Sequence, residues 1–141
     1  MLHDRDITQA CPCNSGKPFR FCCEPAIEGH KPAATAEALM RSRYTAFSLG
    51  AVDYLIDTTA PENRNPEDAE ILPAQVKCTN WIGLDILATQ QGEKGDTTGM
   101  VEFEARFEAD EQSGVLREHS NFRCDDNQWY YVDGDVEVSI K

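Results

Sequence analysis

Residues 101–108 read VEFEARFE, and the fold turns on how that stretch is read. Val101, Phe103, Ala105 and Phe107 alternate with Glu102, Glu104, Arg106 and Glu108. Successive side chains of a strand point to opposite faces, so the run predicts a strand with one apolar face and one charged, wet face. The same period of two recurs on both sides. Upstream, Ile82, Leu84 and Ile86 alternate with Trp81, Gly83 and Asp85. Downstream, between Val115 and Cys124, one face carries Leu116, Glu118, Ser120, Phe122 and Cys124, and the other carries Arg117, His119, Asn121 and Arg123. A fourth run, Gln128 to Asp133, follows the turn residues Asp125-Asp126-Asn127. Gly92–Gly99 and Ala109–Gly114 are polar and turn-rich, so the four strands are predicted to meander antiparallel.

Before Pro73 the period is helical. In TAEALMRSRYTAFSLG, Thr35 is a candidate N-cap, Glu37 lies in the first turn and Gly50 is a C-terminal stop. Ala36, Leu39, Met40, Arg43 and Phe47 recur at three-to-four spacing, which sets Arg43 on or beside the apolar stripe. A second short helix is predicted from Val52 to about Thr58. Asn65-Pro66-Glu67-Asp68 signals a third that ends before Pro73. The predicted class is α+β, with N-terminal helices packed on one face of a curved antiparallel sheet.

A chain of 141 residues is near the size of one domain with a short appended piece. We divide it at residue 30, with a cysteine-rich segment 1–30 and an α+β body 31–141, and a linker over 24–34 that carries Pro25, Gly29 and Pro32. The first ten residues hold Asp4, Arg5 and Asp6 and no apolar run, and no stretch has the roughly 18 apolar residues of a membrane span, so a cytoplasmic protein without membrane attachment is expected. The net charge of −12 is uneven: residues 1–59 hold 6 Lys and Arg against 7 acids, residues 60–141 hold 7 against 18. A body that acidic repels phosphate backbones, which argues against nucleic acid as its partner.

The segment CPCNSGKPFRFCC, residues 11–23, places four cysteines as C-x-C-x8-C-C. Zinc takes four soft ligands in a tetrahedron, and Asn14-Ser15-Gly16 is a turn that brings the second pair back to the first. Lys17 and Arg20 are positioned in sequence to offset the charge of bound thiolates. The alternatives are two local disulfides or four idle thiols; a reducing compartment favours the metal. With all positions filled by protein, such a metal is structural.

This segment closely resembles the SEC-C motif, C-x-C-x-S-G-x5-C-[CH], a zinc knuckle at the C-terminus of the preprotein-translocase motor ATPase and in many other bacterial proteins. The resemblance implies zinc on Cys11, Cys13, Cys22 and Cys23. The translocase knuckle contacts a secretion chaperone, so it also implies a module that docks a protein partner. ALMRSRYTAF, TNWIGL, VEFEARF, EHSNF and WYYVDG, in that order, look like the signatures of the YchJ-like family, which joins a SEC-C knuckle to a nuclear-transport-factor-two-like (cystatin-like) cone. The likeness covers most of residues 11–135. Some relatives carry a second knuckle at the C-terminus, absent here, so no bridging role that needs two knuckles is implied. Relatives also tend to have His-Pro after the second helix where this chain has Ala60-Pro61, so no catalytic histidine is implied there.

The cone implied by the family has an internal pocket. Glu118 shares a strand face with apolar residues, and a buried carboxylate is costly unless paired, so Arg43 is its expected partner. Tyr44 and Ser120 are further candidates for the pocket. The bland reading of Glu118 and Arg43 is a structural ion pair; the sharper one is a ligand anchor or a base. His119 falls on the polar face, His3 and His30 in the tail and linker, and Cys78 and Cys124 read as small buried residues. Trp81, Trp129, Tyr130 and Tyr131 read as packing or covering the sheet. Asp125, Asp126, Asp133 and Asp135 read as turn chemistry, and no phosphate loop, G-x-S-x-G or H-E-x-x-H occurs. Two functions stand: a non-enzymatic zinc-binding adaptor that docks a protein through its knuckle, which the sequence favours, and a small-molecule-binding protein or enzyme that uses the cavity around Glu118 and Arg43. Contact of Lys17 and Arg20 with RNA or the ribosome is a weaker third.

Overall fold

Residues 9–140 are described by a computed structural model. His3 and most of the stretch read above for a leader lie outside the described residues. Four helices precede four strands: α1 Glu24–Ile27, α2 Ala36–Leu49, α3 Val52–Asp57 and α4 Asp68–Cys78, then β1 Asn80–Gln91, β2 Thr98–Ala109, β3 Gln112–Asp125 and β4 Gln128–Ile140. The strands form one antiparallel sheet in the order β1-β2-β3-β4, as the alternation predicts. The β2–β3 and β3–β4 hairpins close through Asp110-Glu111 and Asp126-Asn127, and both residues of each pair have positive φ. Such turns match the right-handed twist of the strands they join.

The longest helix, α2, lies across the concave face. Thr35 caps it, its Oγ1 accepting from the Ala38 N–H at 3.1 Å, and Gly50 ends it at φ 80°. Its Ala36, Leu39, Met40 and Tyr44 pack into one core with Leu84 of β1, Val101, Phe103 and Ala105 of β2, and Phe122 and Trp129 from the last two strands.

The secondary structure and packing differ from the sequence expectations in four places. Helix α4 runs through Pro73 to Cys78, because it buries no residue. The carbonyl that loses its donor to the proline ring therefore meets water rather than core, which lowers the penalty. Cys78 is consequently exposed, not buried. In β1 the register slips between Trp81 and Gly83 and again between Ile86 and Ala88. Such bulges leave one residue unpaired and re-aim its neighbours, so Ile82 stands 51% exposed while Trp81 turns inward onto Phe107. Residues 24–34, read as a linker, are structured. They contain α1, Ile27 and Ala33 pack on the core, and Trp129 Nε1 donates to the Ala34 carbonyl at 3.3 Å. Finally, Cys11, Cys13 and Cys23 belong to the same buried cluster as Leu39 and Met40, so the cysteine segment packs against the body.

Candidate metal centre and cone cavity

The cysteine segment folds back as a small hairpin. Asn14 and Gly16 take positive φ, Cys11 N–H donates to the Lys17 carbonyl at 3.0 Å, and Phe19 N–H donates to the Gln9 carbonyl at 2.8 Å. A single turn of 3-10 helix, Phe19–Phe21, then delivers Cys22 and Cys23. All four sulfurs lie within 4.8 Å of one another, with Cys13–Cys22 at 3.6 Å and Cys22–Cys23 at 3.9 Å. A tetrahedral site with bonds of about 2.3 Å has sulfur–sulfur edges of about 3.8 Å. The four cysteines are free thiols and can hold a metal ion.

Within the cluster Cys13 is the thiol whose neighbours favour the charged form. Hydrogen bonds from Cys11 and then Cys23 hold that thiol far below its usual range, while its own bond with Cys13 pushes Cys11 up to about 11. The surroundings that steady this charge come from α2. Arg41 Nη1 donates to the Cys13 carbonyl at 2.8 Å and reaches Cys13 Sγ at 3.8 Å, with its Nε held by Glu37 at 3.0 Å. Thr45 Oγ1 donates to Cys23 Sγ at 3.4 Å and lies 3.7 Å from Cys11 Sγ. From the body, too, the Leu84 carbonyl accepts from Asn14 Nδ2 at 3.3 Å. Sequence reasoning assigned the balancing charge to Lys17 and Arg20, but both are exposed. Arg41 is the cation that meets the site, and no local pattern reveals that, because it depends on how the knuckle docks on α2.

Between α2 and the concave sheet lies a cavity of about 440 Å³. Its walls are mostly aromatic and aliphatic. Tyr44, Trp81 and Phe107 stack edge to face, with centroids 6.1 and 5.6 Å apart. Glu118, opposite Phe103 on β3, faces this space, as the alternation predicts. Arg43 and Tyr44 line it too. Ser120 points the same way but is fully buried between Val101 and Gly134, outside the cavity, and its hydroxyl has no hydrogen-bond partner among the described residues.

Arg43 and Glu118 do not form the expected ion pair, because Tyr131 stands between them. Tyr131 O–H donates to Glu118 Oε2 at 2.6 Å, and the Arg43 guanidinium lies over the Tyr131 ring, 4.7 Å from its centroid. Arg43 Nη1 instead donates to the Leu55 carbonyl at 2.9 Å, Thr58 Oγ1 at 2.8 Å and Thr59 Oγ1 at 3.3 Å, which places a cation at the C-terminal end of α3. Burial lowers Arg43 to about 10, so it stays charged at neutral pH. The same segment fixes Tyr131, whose N–H donates to the Thr58 carbonyl and whose carbonyl accepts from Ala60 N–H, both at 2.8 Å. Burial, and then the bond to Glu118, push the Tyr131 phenol up, so it keeps its proton and remains a donor. At Gly134 a Cβ would collide with Glu118 Oε2, so the absent side chain makes room for the carboxylate. The sequence pattern gives Tyr131 a packing or covering role. Its spacing of two from Trp129 was the available signal, since both pair with the inner-face residues Phe122 and Cys124.

Residues 35–134 match the family described as YchJ, middle NTF2-like domain. A UPF0225 protein of Geobacter sulfurreducens is 43% identical over 91% of this chain and 80% of its own length. The solution structure of a SEC-C motif containing protein from Rhodopseudomonas palustris is 37% identical, with a TM-score of 0.81 over 89% of this chain and 96% of that one. The crystal structure of a SEC-C motif containing protein from Psychrobacter arcticus is 27% identical, with a TM-score of 0.75 over 100% of this chain and 88% of that one. The chain belongs to the YchJ family, as the motifs in its sequence imply.

Proposed function

We propose that this member of the YchJ family is a small-molecule-binding protein whose cone is stapled by a structural zinc ion. Cys11, Cys13, Cys22 and Cys23 are the ligands; zinc bound there supplies folding energy to a segment too short for a core of its own. Arg41 and Thr45 orient and neutralise that site from the body. Docking of a partner protein through the knuckle, the use the sequence favoured, has less support, because three of the four cysteines are buried against α2.

One observation carries the binding function: Glu118 is a half-buried carboxylate lining a largely apolar cavity, with no cation within ion-pair distance among the described residues and a neutral tyrosine as its hydrogen-bond donor. A carboxylate set into an apolar wall for stability alone is expected to be paired, because it gives up part of its hydration. Thermal and urea melts of Glu118→Gln test this. Glutamine keeps an acceptor for Tyr131 and leaves no ion-pair partner behind, so stability should stay within about 1 kcal/mol of the parent or rise. A loss of roughly 3–5 kcal/mol would return Glu118 to a structural role. Among the described residues no helix is long and apolar enough to cross a membrane.

A further inference from the structure

Given that the cavity binds a ligand, we infer that the ligand is a small organic cation, a protonated primary amine carried on an apolar or aromatic body, with its ammonium group on Glu118 and its body against Trp81, Tyr44 and Phe107. This rests on the binding function proposed above and names the class of molecule. Of the two charged residues that line the cavity, Arg43 is committed elsewhere: one nitrogen serves the α3 C-terminus and its plane covers Tyr131. Glu118 is not committed. Tyr131 uses one lone-pair site on Oε2, and a carboxylate offers about four. Gly134 leaves the carboxylate its space and Tyr131 fixes its rotamer, so the acceptor is pre-organised without being neutralised.

The walls suit the same ligand. Faces of tyrosine, tryptophan and phenylalanine attract cations through the ring quadrupole, and most strongly where water is excluded. The edge-to-face chain Tyr44–Trp81–Phe107 lines the same cavity as the carboxylate. A net charge of −12 concentrates cations and repels anions near the protein. An ammonium also donates N–H bonds to Glu118, which a quaternary amine does not, and charge-assisted bonds of this kind are the stronger ones. The Arg43 charge opposes a cation, but the Tyr131 ring lies between them and the nearer charge is that of Glu118.

The test is a titration of the full-length protein with three probes of one shape: 2-phenylethylamine, the neutral 2-phenylethanol and the anionic 3-phenylpropionate. The indole N–H signal of Trp81 reports the cavity, and that of Trp129, which does not line it, is the internal control. The amine should bind at least about tenfold more tightly than either analogue, and Glu118→Gln should remove that advantage while leaving the affinity for the alcohol unchanged. If the alcohol or the acid binds as well as the amine, or the advantage survives Glu118→Gln, the cation assignment is overturned and the cavity still binds ligands. If none of the three moves Trp81 at millimolar concentration, the assignment and the binding function fall together.

Discussion

Arg43 and Glu118 occupy facing elements, and the expectation that each neutralises the other gives way to a division of labour. Arg43 ties α2 to the end of α3 and backs Tyr131; Glu118 is left facing the cavity. Their substitutions should therefore differ. Arg43→Met removes the charge-assisted bonds to the Leu55 carbonyl and to Thr58 and Thr59, whose hydroxyls keep their bonds to the Leu55 and Tyr54 carbonyls, and should cost on the order of 3 kcal/mol in a urea melt. Equal losses for Arg43→Met and Glu118→Gln would mean a coupled pair after all. The face of each residue was legible in the sequence, because the periods of 3.6 and 2 fix it. The partner was not, since any of several polar side chains on facing elements can intervene, and here Tyr131 does.

At the scale of elements, the strands and the central helix were written plainly. Alternation over residues 101–107 and 115–124 set the inner face of the sheet, and Thr35 and Gly50 bounded α2. The Thr35 cap satisfies one of the four free N–H groups of the helix that carries both Arg41 and Arg43. Thr35→Ala should thus cost about 1 kcal/mol, read as a lower urea midpoint at unchanged slope. A cost near zero would mean that packing alone holds the first turn. The illegible elements were those ruled by tertiary context. Pro73 reads as a stop, yet α4 continues past it because its exposed face tolerates an unpaired carbonyl. The bulges at Ile82 and Leu87 reverse a clean alternation, and only the pairing with β2 requires them.

Across the whole molecule, composition suggested two parts and the packing joins them. The C-x-C-x8-C-C spacing made the four ligand candidates legible, and their sulfurs lie close enough together to hold a metal, but the surroundings of the site lie on α2 some thirty residues away, where no spacing rule reaches. Because Cys11, Cys13 and Cys23 share a core with Leu39, Met40 and Leu84, the proposed zinc should couple its binding to folding of the cone. The most direct test combines elemental analysis of protein purified under reducing conditions with melts followed by tryptophan fluorescence, with and without a zinc chelator. Both tryptophans lie in the cone, in β1 and β4, so the signal reports the body alone. The expected result is one zinc per chain and a single cooperative transition that chelation lowers by at least about 5 °C. Absence of metal, or a cone transition that chelation leaves in place, would contradict it.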